Sequence, residues 1–426
     1  MKNGLLIIFV GIITLVNAQN YVHQAIIVNE GYYDYTNAVI VEPVTIGSYD
    51  PATQSYQMVN TLTGMRFASD AIVQGDAYYV AADQNIYKFD LNTHQQLAIA
   101  NCPGVRNLAY ANGKIVATRG EYLTTFNSYL HIYDAADLSF ITAIDNISGP
   151  KWATQNLVVD GNYVYVAVNN GYEWGNEKGI IGRLDMTSLT YGNEIDLGPD
   201  GKNPDNMVIN NGFIYTINNK DWSGSSVSKV SFDGITNTTV NIATASTGCG
   251  TSALRDDKIV YQISLENTLN EFDAVAMNNV GPVSGFNLNY YELAQNPVSG
   301  ELYTSVTNFS SFGTVYIYDN SNNQVSNFSV GISPGTIVFD VRSMAGITED
   351  LSDLAIYPNP TSESLTVKAS FAKYIEITDL TGSVVLAKFI TDGEIELGLE
   401  NLSSGHYLCR IQSENGEIIT RKITKK

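Results

Sequence analysis

Histidine, cysteine, tryptophan and positive charge are all scarce in this chain. Its 426 residues include 4 His, 3 Cys and 3 Trp, and Lys+Arg 23 stand against Asp+Glu 43, a net charge of −20. An acidic excess of that size excludes nucleic acid as a broad partner, because a polyanion is bound through clustered cations. None of the histidines (His23, His94, His131 and His406) is spaced with a second His, Cys or carboxylate as a zinc site requires. Three cysteines, Cys102, Cys249 and Cys409, do not make a disulfide framework in so long a chain. No Gly-x-Ser-x-Gly elbow and no phosphate-binding glycine loop is present. The carboxylate-rich stretch Gly198–Asn206 lacks the calcium-loop spacing and reads as a turn. We therefore expect no metal, no cofactor, no catalytic residue and no enzyme activity.

Long apolar runs are also missing beyond the first 18 residues, so no transmembrane helix of ~20 residues is expected there. The N-terminus itself reads Met1-Lys2-Asn3, then an apolar run from Gly4 to Val16, then Asn17-Ala18. That is the pattern of a secretory signal peptide over residues 1–18, cut after Ala18, with no transmembrane segment left once it is removed. No cysteine stands near the cut, which argues against a lipid anchor.

What the chain does have is a repeat. A Gly- or Asp-bearing turn followed by a Tyr-rich apolar strand recurs at Gly75–Val80, Asn112–Val116, Gly161–Val166, Asn211–Tyr215, Asp256–Tyr261 and Ser299–Tyr303. A further strand ending in Asp recurs at Ile86–Asp90, Leu130–Asp134, Gly182–Asp185 and Val315–Asp319. Successive turns fall 38, 48, 51, 45 and 43 residues apart, the period of a four-stranded propeller blade. Six copies are complete. Ala25–Val28 and Ile46–Asp50 supply two strands of a seventh, and its missing first strand occurs only at Gly335–Val341. Pairing Gly335–Val341 beside Ala25–Val28 closes the ring and leaves no open sheet edge between the ends. The reading is all-β: a seven-bladed β-propeller over residues 19–343 closed by its N- and C-terminal strands, a linker over 344–353, and a small C-terminal β-sandwich over 354–426.

The sandwich carries Tyr357-Pro358-Asn359-Pro360, an Asp-x-x-Gly turn ending at Gly382, Ser404-Gly405-His406-Tyr407, and a basic end with Lys422 and Lys425. In these elements it resembles the type A C-terminal sorting domain of the type IX secretion system. The resemblance implies that the type IX machinery is a partner and that the protein is secreted or held at the extracellular face of the outer membrane. The opening Ile27-Val28-Asn29-Glu30-Gly31, followed by Ser48-Tyr49-Asp50-Pro51, resembles the start of YncE-like surface propellers. These include the BtuG-type group that captures cobalamin. This resemblance implies a corrinoid ligand, although that group carries lipid anchors where this chain has a sorting tail.

Two loop classes open on one face of a propeller: those joining one blade to the next, and those between a blade's second and third strands. The first class carries Arg66, Arg106, Lys151-Trp152 and Lys202, four of only 14 Lys+Arg against 33 Asp+Glu between residues 19 and 350. Cations concentrated at one structural position are expected to attract an anionic group of a ligand. The second class carries Tyr32, Tyr33, Trp174 and Trp222, so all three tryptophans fall on the same face. Exposed rings mark interaction sites. The expected function is non-covalent binding of a small molecule or glycan over the central funnel, with a corrinoid among the candidates. A structural or adhesive role of the same face is the first alternative. A propeller lyase or hydrolase is the second, with Asp70, Asp205 and Glu292 on inner segments but without an evident partner.

Overall fold

Short strands of alternating or fully apolar character, many of them meeting turns that carry Gly, Asn or Asp, build the described residues. The computed structural model describes residues 20–248, 251–343, 354–390, 393–413 and 418–426, with no helix among them. The expected signal peptide, Cys249 and the expected linker lie outside the described residues. The chain divides into two compact units, one running from Asn20 and the other reaching Lys426.

The first unit is a propeller of seven four-stranded antiparallel sheets. Blades 2 to 7 run in chain order. Their inner strands are Ala68–Gln74, Val105–Ala111, Thr154–Asp160, Pro204–Asn210, Ser252–Arg255 and Leu293–Gln295. Blade 1 is composite: its inner strand is the distant Pro334–Ser343, hydrogen-bonded to Asn20–Asn29, then Val44–Asp50 and Ser55–Leu62. Ile27 faces Ile337 and Ala25 faces Phe339 in that closing ladder. The expected closure is the observed one.

Packing confirms the ring. Seven apolar clusters lie between neighbouring blades, including one between blades 7 and 1 where Ala25, Ile27 and Tyr49 meet Tyr303, Val315 and Ile337. The tyrosines of the repeat have a double use. Their rings fill these interfaces, and two of their hydroxyls cross to the next blade: Tyr79 Oη donates to Ala135 O at 2.6 Å, Tyr215 Oη to Ala274 O at 2.8 Å. The recurring Asp caps the turn to the fourth strand, its Oδ1 accepting backbone N–H groups two or three residues on, as at Asp50, Asp90, Asp185 and Asp319. Gly182 is required by close approach: the ring of Tyr191 lies across the space its Cβ would take.

The second unit packs a three-stranded sheet (Ala355–Tyr357, Ser364–Lys368, Glu394–Gly398) against a four-stranded one (Val384–Phe389, Ala372–Thr378, Gly405–Ser413, Ile418–Lys425). Leu365, Val367 and Leu397 from the first meet Ile375, Ile377, Cys409 and Ile411 from the second, a core of its own. Cys102 and Cys409 are buried free thiols.

Candidate functional site

Contacts between loops define one crowded face of the propeller. Arg66, from the blade 1–2 connection, reaches Glu121 in the long loop of blade 3 at 3.1 Å. Arg106 lies at the start of the inner strand of blade 3, its guanidinium 5.8 Å from the Phe67 ring centre and 5.2 Å from that of Tyr172. Tyr291, from the blade 6–7 connection, donates to Glu30 Oε1 at 2.7 Å and meets the Phe309 ring edge-on. Asn219 in the loop of blade 5 accepts from Thr247 N and donates to Gly248 O in the following connection. Lys178 stands 4.9 Å from the Trp152 ring.

The expected cations are not equivalent. Arg66 is not a free anion contact: its Nη2 is 2.5 Å from Asp83 Oδ1, its Nε bonds the same buried carboxylate, and Glu121 takes a further hydrogen bond. A guanidinium held by two carboxylates has no net charge to offer a ligand. Arg106 is stacked between rings, and its buried Nε has no hydrogen-bond partner. Lys151 is exposed and Lys202 half-buried, and neither forms an ion pair among the described residues. The rings are dispersed too. Tyr33 packs on Tyr35, Trp152 lies under Lys178, Tyr32 is half-buried, and none of the five expected platform rings stacks on another among the described residues. Trp174 is 78% exposed, and half-buried Trp222 has an indole N–H with no partner.

Three carboxylates, Glu30, Asp70 and Asp205, lie near Arg106, and Glu292 lies near Asp70. Asp70 and Asp205 lie on the inner strands of blades 2 and 5, Glu292 immediately precedes that of blade 7, and Glu30 follows the second strand of blade 1. Asp70 Oδ2 accepts the Leu108 N–H at 2.7 Å, latching blade 2 to blade 3. Burial pushes their pKa values up, to about 7 for Glu30 and Asp70, about 6 for Asp205 and about 8 for Glu292, with Asp70 adding to the rise at Glu292. Arg106 opposes the rise at Glu30, Asp70 and Asp205. The funnel is therefore acidic at its throat, and the expected positive focus is not what these residues make. The signal missed in the sequence was pairing: Asp83 and Glu121 lie far from Arg66 in the chain, and only blade stacking unites them.

This has a consequence for stability. A carboxylate whose folded pKa exceeds its unfolded value near 4 binds its proton more tightly when folded. Its contribution is full below the unfolded value and fades as pH rises through the folded one. The melting temperature should fall by several degrees between about pH 5 and about pH 8.5. Glu292→Gln should flatten that fall. A melting temperature that rises over this range would contradict the assignment.

A different group of residues dominates the rim. Leu265 is 92% exposed and Leu123 86%, and Tyr35, Tyr122, Phe309 and Phe312 are also exposed. All stand in or beside the loops between second and third strands, in blades 1, 3, 6 and 7, with Trp174 in blade 4. Leu123, Trp222, Leu265 and Phe309 adopt positive φ, a conformation that costs a bulky residue about 1–3 kcal/mol. Among the described residues no three His, Cys, Asp or Glu are grouped to hold a metal, and no helix is long and apolar enough to cross a membrane. His131 is packed, bonded to Ser128, Arg119 and Tyr133, and burial lowers its pKa to about 4.

In the sandwich the motif residues converge on the last strand. Asn359, held between Pro358 and Pro360, donates to Lys422 O and accepts from Thr424 N, both at 2.9 Å. Lys425 Nζ bonds Ser362 O. Tyr357 is half-exposed at the start of this loop, and the Tyr407 hydroxyl donates to Ser403 O at 2.9 Å near Gly405, which opens its strand. Gly382 completes the Asp379 turn at φ +90°.

Comparison with known proteins bears on both units. Three similar solved structures are a candidate 6-phosphogluconolactonase from Bacteroides uniformis (13% identity, 75% of this chain and 100% of that one, TM-score 0.54), a functionally unknown protein from Desulfotomaculum acetoxidans (15%, 74% and 98%, 0.52) and a candidate 6-phosphogluconolactonase from Bacteroides fragilis (12%, 75% and 98%, 0.52). At such identities the likeness speaks for the fold alone. No curated protein matches the sequence. Residues 355–426 match the secretion system C-terminal sorting domain, so this is a chain that the type IX machinery handles and delivers to the cell surface or the extracellular space.

Proposed function

We propose that the propeller binds a ligand non-covalently over the face made by its long loops, at the surface of the cell or outside it. One observation carries the reading. Large apolar side chains stand exposed in or beside equivalent loops of five blades, several at positive φ, and on the same face Arg106 Nε and the indole N–H of Trp222, in the blade 5 loop, lack partners. The acidic throat favours a ligand that is flat and largely uncharged over an anion. A corrinoid, the class suggested by the likeness to YncE-like propellers, and a glycan are the first two candidates. The proposal is of binding without turnover.

Calorimetric titration of the full chain with cyanocobalamin and with a glycan panel tests it. Trp174→Ala and Arg106→Met should each weaken the bound ligand about tenfold or more. Unchanged affinity in both removes the site. The aliphatic tips Leu123 and Leu265 favour a second reading, contact with another surface protein. On that reading Leu123→Ser with Leu265→Ser abolishes adhesion while small-molecule binding is absent in the wild type.

A further inference from the structure

The opposite face, made of the turns between first and second and between third and fourth strands, holds a cleft of about 850 Å³ between blades 6 and 7. Its walls are two turns of unequal length. In blade 6 the ladder runs up to the two-residue turn Asp256-Asp257, with Arg255 paired to Lys258, whereas in blade 7 the six residues Asn296–Glu301 separate Gln295 from its partner Leu302. The cleft lies between these two turns. Its volume lies within the roughly 300–1,000 Å³ of ligand pockets.

The lining is arranged for hydrogen bonding. Arg255 spans the gap, its Nη1 donating to Asn322 Oδ1 at 2.7 Å and its Nη2 to Asp319 O at 3.1 Å, which fixes the guanidinium plane. Glu271, beside it, has a carboxylate with no hydrogen bond or ion pair among the described residues, and the Gln295 amide has none either. Lys258 stands 3.3 Å from Asp273 on one wall, and Asn320 caps the other, donating to Ser299 O.

The lining carries Arg255 and Lys258 against Asp256, Asp257 and Glu271, a slight negative excess. Asp257 accepts from the amides of Asn210 and Asn211. No aromatic ring lines the cleft, so a flat conjugated ligand has nothing to stack on, while Leu254, Pro297 and Val298 offer a small apolar wall. Fixed donors, open acceptors and one amide that is both suit vicinal hydroxyls, which donate and accept at once. We propose that this cleft binds a short neutral saccharide through Arg255, Glu271 and Gln295, as a site separate from the loop face.

Saturation-transfer NMR and calorimetry on the full chain with maltose, cellobiose and lactose test the proposal. At least one should bind saturably, and Glu271→Gln and Gln295→Ala should each weaken it about tenfold. Trp174→Ala, on the other face, should leave it unchanged, so failure here and failure of the loop-face reading are distinct results. Glucuronate, an anion, should bind more weakly than the neutral sugars. Three outcomes overturn the proposal: no saturation with any of the three disaccharides, binding that Trp174→Ala removes and Glu271→Gln spares, or glucuronate binding more tightly.

Discussion

A chain ended at Ser343 should fold, melt cooperatively and remain inside the cell envelope. The closing strand Pro334–Ser343 is complete at that point, so all seven blades and all seven inter-blade clusters survive the cut. The sandwich has its own buried core, built from residues beyond the cut, and the propeller clusters draw on none of them. What the truncated chain loses is the domain that the type IX machinery handles. Cell fractionation and surface proteolysis should find essentially all of the full-length protein outside and essentially none of the truncated form. Surface delivery of the truncated chain, or its failure to fold, would contradict this division of labour.

Ile337→Asp should be the most damaging single change in the propeller. Ile337 is 4% exposed, pairs with Ile27 across the closing ladder and packs in the cluster between blades 7 and 1. The aspartate removes apolar contacts worth about 2–5 kcal/mol and adds an unpaired charge in their place. Together these approach the whole stability of an ordinary domain, about 5–15 kcal/mol. Val341→Asp, on the same strand but facing water, serves as the control and should shift stability by no more than about 0.5 kcal/mol. Denaturant unfolding followed by tyrosine fluorescence reads both. Equal effects would mean that strand pairing alone, rather than the buried cluster, closes the ring.

How much of this was legible in the chain differs between fold and site. The ring was readable because its determinants are local and repeated: a turn glycine, an apolar strand, a capping aspartate at the end of the third strand. Even the non-local closure could be found, since Gly335–Val341 was the one strand left without neighbours. The tail was readable from its short motifs: Gly382 acts in the local Asp379 turn, whereas the contact of Asn359 with Thr424, 65 residues on, was not legible. The site was harder, because its chemistry depends on which loops touch. Arg66 looked like a free cation until Asp83 and Glu121, 17 and 55 residues away, closed on it. Asp70, Asp205 and Glu292 could be placed on inner segments, but not the partners they meet: Arg106 beside Asp70 and Asp205, and Asp70 beside Glu292. Leu265 carries no signal in sequence at all, since a leucine between strands is ordinarily buried and this one is not.

Amide hydrogen exchange of the full chain, with and without cyanocobalamin, asks the central question most directly. We predict slowed exchange confined to the loops bearing Leu123, Trp174, Trp222, Leu265 and Phe309. Protection that spares all five loops, or that falls only on the turns of the opposite face, would contradict the account.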